Sequence, residues 1–119
     1  MFRSMIRMVV VLGALVVLGA CGSGVGNDGV IVGGDCTVSR ECDVDSRCLT
    51  GEDFPGGYCA RSCDSTDDCP EGSACVAEAG GVCMVSCASS AECRSEEGYD
   101  CVELEARGAV GTANVCATP

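Results

Sequence analysis

Twelve cysteines fall between positions 36 and 116 in three consecutive sets of four: Cys36, Cys42, Cys48, Cys59; then Cys63, Cys69, Cys75, Cys83; then Cys87, Cys93, Cys101, Cys116. The stretch they frame is 116 − 35 = 81 residues long and holds Phe54, Tyr58 and Tyr99 as its aromatic residues. So few large apolar side chains cannot bury enough surface to hold a chain of that length by themselves. Disulfides must then substitute for a core, each contributing typically about 2–4 kcal/mol. They persist where the compartment is oxidising. The expected fold class is small and disulfide-rich: three tandem four-cysteine units, each a short helical turn plus a β-hairpin, with little regular secondary structure.

Aligning the sets exposes one recurring unit. Each opens with five residues between its first two cysteines, a hydroxyl at the third of them (Ser39, Thr66, Ser90) and an acid at the fifth (Glu41, Asp68, Glu92). The hydroxyl is expected to cap a single helical turn, with the acid at the turn's positive end. A hairpin signal follows the third cysteine, clearest where Cys75-Val76-Ala77 and Val82-Cys83-Met84-Val85 flank Ala79-Gly80-Gly81. Only three residues separate Cys59 from Cys63 and Cys83 from Cys87, so the units must abut rather than swing. The boundaries read as 36–59, 60–83 and 84–119. Four cysteines allow three pairings within a unit. First-to-third with second-to-fourth is favoured, crossing a helical turn onto a hairpin as in small epidermal-growth-factor-like modules.

The thirteenth cysteine, Cys21, stands apart. Arg3 and Arg7 precede an uncharged apolar run over residues 8–18, then Gly19 and Ala20, which is the layout of an export signal. The run is too short to cross a bilayer, which takes roughly 20 apolar residues. Leu18-Gly19-Ala20-Cys21 resembles the lipobox of bacterial lipoproteins, with Gly19 where Ala or Ser is commoner. That resemblance implies removal of residues 1–20 and lipidation of Cys21 by a diacylglyceryl group and an N-acyl chain such as palmitate. A plain signal peptide cut near Ala20 and an uncleaved anchor are the alternatives. One acyl chain binds a membrane only marginally, whereas three hold essentially permanently. Gly22 in place of Asp favours the outer membrane, so the expected location is the cell envelope, lipid-anchored and extracytoplasmic. Residues 21–35 read as a Gly-rich tether, with six glycines in the 14 positions after Cys21. Such a coil spans about 20 Å. Val30-Ile31-Val32 could add a strand to the first repeat, but the reading preferred gives it no role.

After Cys21 the chain carries all 18 of its carboxylates and five arginines, a balance of 5 − 18 = −13, with no lysine or histidine. Phosphate binding needs a basic surface, so no nucleic-acid partner is expected, and adsorption to anionic headgroups is disfavoured. Without histidine or a Cys-x2-Cys pair, neither a thiolate metal centre nor a thioredoxin-like site is expected. Asp43, Asp45, Asp64, Asp67, Asp68 and Glu71 concentrate oxygen ligands outside any EF-hand pattern and read as solvated loop carboxylates. Any catalytic base would have to be a carboxylate such as those of Glu96-Glu97. The chain is expected to be no enzyme, with no catalytic residue, no metal site and no cofactor.

The repeats over residues 36–116 look like those of myxobacterial-type Cys-rich surface lipoproteins. They resemble, more distantly, the N-terminal Cys-rich region of the Dickkopf family, whose unit also opens Cys, five residues with hydroxyls and an acid, Cys, then Gly before the next Cys. The function expected is a membrane-anchored, non-catalytic binding module contacting a protein or glycan through hairpin loops 50–57, 78–81 and 105–112. The competing readings are a structural or protective envelope component without a ligand, and a protease-inhibitor-like module with Arg107 as bait.

Overall fold

The computed structural model describes residues 24–119, so Cys21 and the export segment lie outside the described residues. Six short strands form three antiparallel hairpins in chain order. Strands β1 (Arg47–Leu49) and β2 (Tyr58–Ala60) make the first, β3 (Ser73–Val76) and β4 (Val82–Val85) the second, β5 (Asp100–Glu105) and β6 (Thr112–Ala117) the third. A single turn of 3-10 helix precedes each, at Ser39–Glu41, Thr66–Asp68 and Ser90–Glu92. The register sets the third and fourth cysteines of each unit directly opposite one another: Cys48 with Cys59, Cys75 with Cys83, Cys101 with Cys116.

Directly opposed residues put their side chains on the same face of a hairpin. Both sulfurs therefore emerge toward the helical turn, which carries the first two cysteines. The bridges are Cys36–Cys48 and Cys42–Cys59, Cys63–Cys75 and Cys69–Cys83, Cys87–Cys101 and Cys93–Cys116. This is first-to-third and second-to-fourth in all three units. Cα–Cα separations from 5.4 Å to 5.9 Å are ordinary for disulfides.

The turn residues divide their work differently from the capping expected. The acid does the capping. Glu41 accepts from the backbone N–H groups of Thr37 and Val38 at 3.0 and 3.1 Å, Asp68 from those of Asp64 and Ser65, and Glu92 from Ala88 at 2.9 Å. The hydroxyl, already inside the turn, instead ties the turn to the hairpin. Ser39 Oγ accepts the N–H of Cys48 at 3.1 Å and Thr66 Oγ1 that of Cys75 at 3.2 Å. In the third unit Asp100 intervenes, bonded to Ser90 Oγ and accepting the Cys101 N–H. A three-residue helical turn has too few internal bonds to persist alone. These contacts and the disulfides hold it.

The hairpins share one apolar cluster rather than standing as separate beads. Leu49, Tyr58, Val76, Val82, Met84, Tyr99 and Val115 are buried together with residues from every unit. Between hairpins, Val76 bridges to Ala106, and the Tyr58 hydroxyl of the first accepts the buried N–H of Val85 in the second at 2.9 Å.

The tether reading is corrected from Gly24 onward. Val25 pairs with Val32, Gly33 N–H donates to Cys59 O and Cys59 N–H to Gly34 O, both at 2.8 Å. Val32, assigned no role from sequence, is fully buried in the shared cluster. The glycines here serve close packing. A Cβ on Gly29 would stand 2.4 Å from the carbonyl oxygens of Gly24 and Val32, and one on Gly33 2.3 Å from Gly26 O. Only glycine lets backbones approach so closely.

Candidate functional site

The most heavily bonded side chain is Arg94, which follows the second cysteine of the third unit and is buried. Its Nε and Nη2 donate to the two carboxylate oxygens of Glu97 at 2.9 and 2.8 Å. Nη1 donates to Gly57 O at 2.7 Å and Gly33 O at 3.2 Å, and Nη2 to Pro55 O at 3.2 Å. The guanidinium also lies 4.7 Å from the centre of the Tyr99 ring, a cation–π contact. Tyr99 stacks obliquely on Tyr58, with ring centres 5.7 Å apart, and donates its hydroxyl to Pro55 O at 3.0 Å. One arginine thus joins the N-terminal segment, the first hairpin loop and the third unit.

This environment moves the groups in it. The hydrogen bond from Arg94 holds the Glu97 carboxyl below its ordinary range. Burial pushes the Tyr99 phenol up to about 12, against the opposing pull of Arg94. The more deeply buried Tyr58 phenol is raised further for the same reason. Both tyrosines stay protonated at any ordinary pH and act as hydrogen-bonding core residues. Beside this node a cleft of about 440 Å³ is lined by Asn27, Asp28, Asp35, Ser95, Glu96 and Glu97, with Arg94 in its wall. Its carboxylates suit a cationic or neutral ligand. Nothing in the sequence signals this cleft, because Asp28 and Asp35 stand in a Gly-rich stretch outside the cysteine repeat.

The second and third hairpin loops meet at the opposite end of the central hairpin from Gly72, whereas the first packs against the base of the third hairpin, Thr118 Oγ1 donating to Asp53 O at 3.1 Å. Asp53 and Phe54 of the first loop and Glu78 of the second line a small gap of about 50 Å³ closed by Met84 and Thr118. Ala77, Glu78 and Ala79 face Leu104 and Glu105 across a wider concavity of about 240 Å³. Glu78 borders both. The second loop is pinned from either side, Ala79 O accepting from Arg47 at 3.3 Å and Gly80 O from Arg107 at 2.5 Å. It turns through three successive positive φ values, at Ala79, Gly80 and Gly81.

Of the other residues singled out from sequence, several are engaged structurally. Asp43 pairs with Arg61 at 3.3 Å and Asp64 with Arg107 at 3.2 Å, while Asp68 caps its turn. Arg107, the candidate bait residue, is bonded to its neighbours. Its side chain lies on Gly80 and Asp64, and its backbone N–H donates to Cys75 O. Sulfur trios such as Cys36, Cys42 and Cys59 lie within 4.8 Å of one another, but each sulfur is in a disulfide and offers no thiolate ligand. Comparison of the chain with protein-family models, with curated proteins and with solved structures found no match.

Proposed function

We propose that the protein is a lipid-anchored lipoprotein of the cell envelope whose stapled hairpins form a non-catalytic interaction module. It presents the loop face around Glu78 to a protein or glycan partner. The observation that carries this reading is the division of the repeat. The cysteine frame and its bridges recur in all three units, whereas the loops differ in length, and Glu78 of the second borders one gap shared with the first and another shared with the third. A constant scaffold with variable loops is the usual arrangement for recognition. Six disulfides support residence in an oxidising compartment, and the Leu-Gly-Ala-Cys sequence supports attachment there through Cys21.

Two measurements test it. A non-reducing mass map of the mature protein should find Cys21 at the N-terminus carrying lipid. Pull-down from envelope extract should recover a partner that is lost on Glu78→Lys and kept on Asp67→Lys, an exposed change on a helical turn. Equal recovery with both variants would favour the structural envelope component.

A further inference from the structure

We propose that the face around Gly24 lies directly against the lipid bilayer, with Val30 and Val44 at headgroup depth and the loop face turned outward. The proposal rests on the reading that Cys21 carries the lipid. Gly24, the first of the described residues, is already part of the folded body, its carbonyl oxygen accepting the N–H groups of Ile31 at 2.9 Å and Val32 at 3.1 Å. Only Gly22 and Ser23 separate it from Cys21. Three Cα–Cα steps reach at most about 11 Å. The polar zone of one leaflet is itself about 5–8 Å deep. Even fully extended, that link leaves Gly24 no more than about 3–6 Å beyond the headgroups, unlike a body on a 14-residue coil spanning about 20 Å.

The side chains near the entry point fit that position. Val30, next to Ile31, accepts the Asp43 N–H on its carbonyl at 2.7 Å, which brings Val44 alongside. Val30 and Val44 are 49% and 94% exposed, two of the four large apolar residues exposed among those described. The entry also fixes which way the module faces. Val25 packs over Gly72, its Cγ1 3.5 Å from where a Cβ would stand, and Gly72 leads into β3. Loops two and three lie at the far end of that strand, where Ala106 bridges to Val76 and Arg107 bonds Gly80. A four-residue strand is about 13 Å long, so Val110, exposed in the third loop, stands at least that far from the entry.

The chain has no tryptophan, so Val44→Trp and Val110→Trp each introduce a single reporter at an exposed site. The mature lipidated protein is reconstituted in phosphatidylcholine vesicles containing lipid with a nitroxide high on the acyl chain. Emission from position 44 should be quenched several-fold more than from position 110. A Gly-Ser spacer spanning about 20 Å, inserted between Ser23 and Gly24, should abolish that difference without releasing the protein from floated vesicles. Equal quenching at both positions, or strong quenching at 44 that survives the spacer, overturns the proposal. If the protein floats with lipid on Cys21 and position 44 is unquenched, this orientation fails and the anchoring stands. If Cys21 carries no lipid and the protein does not float, both fail.

Discussion

Replacing Arg94 with alanine should cost about 3 kcal/mol of stability, although no disulfide is touched. The figure follows from what the guanidinium leaves behind. Pro55 O keeps the Tyr99 hydroxyl, and Glu97, whose side chain is 38% exposed, can turn to water. The carbonyl oxygens of Gly33 and Gly57 lose the donor that Arg94 supplies to them in a buried setting. A buried polar group left unpaired costs about 1–3 kcal/mol. The lost ring contact adds about 1 kcal/mol. Relief from burying a cation offsets part of the sum. Urea unfolding of the oxidised protein, followed by tyrosine emission and circular dichroism, measures the difference. Arg94→Lys should recover part of the loss, because an ammonium keeps the charge but cannot span three separate acceptors in a plane. Glu97→Gln should cost less than about 1 kcal/mol, since a part-exposed ion pair contributes little. The reasoning is refuted if Arg94→Ala costs under about 1 kcal/mol. It is also refuted if Glu97→Gln costs as much as Arg94→Ala, for then the ion pair, not the carbonyls, holds the node.

The two hydroxyls that tie turn to hairpin should differ in weight. Thr66→Val strips the acceptor from the N–H of fully buried Cys75 and should cost about 1–3 kcal/mol; Ser39→Ala, serving half-buried Cys48, should cost less than about 1 kcal/mol because water substitutes. Limited reduction followed by alkylation and mass mapping should label Cys87 and Cys101 first, since theirs is the one bridge with neither cysteine buried; first labelling of Cys63 and Cys75 would contradict that. In acid, the lowered carboxyl of Glu97 contributes stability that is present above its ordinary pKa of 4.5 and lost as pH falls through the folded value. Denaturant midpoints measured on either side of pH 4.5 should therefore fall less in Glu97→Gln than in the parent.

The frame was legible because cysteine spacing repeats, and because an acid and a hydroxyl at fixed offsets have few uses in a five-residue segment. Their roles were exchanged for a geometric reason. Sequence shows that Ser39 sits two residues before Glu41, but not that the Ser39 side chain faces β1, nine residues further on. Residues 24–34 read as a tether because composition cannot separate a glycine that frees the chain from one that admits a carbonyl. Gly29 and Gly33 are of the second kind, and their signal was the adjacent Val30-Ile31-Val32, too apolar for a solvated coil. Arg94 was invisible for a different cause. Its counterparts after the second cysteine are Asp43 and Pro70, so the repeat gives no hint of it, and its acceptors lie 37 and 61 residues away.

The covalent and non-covalent parts of this molecule answer different questions. All six bridges close within their own unit, the longest across 23 positions, so no sulfur fixes one hairpin relative to the next. That task falls to residues that break the repeat. Tyr58 reaches Val85, Arg94 reaches the first loop and the N-terminal segment, Arg107 reaches the second loop, and Val32 fills the space common to all three. Each has no equivalent at the matching place in the other units. Reduction therefore dismantles a unit, whereas a change at Arg94 or Tyr58 leaves every unit stapled and loosens their arrangement. Because the segment entering at Gly24 and the loops that meet at Glu78 and Glu105 lie at different ends of the central hairpin, the departures from the repeat, rather than the repeat itself, determine what each of those ends can touch.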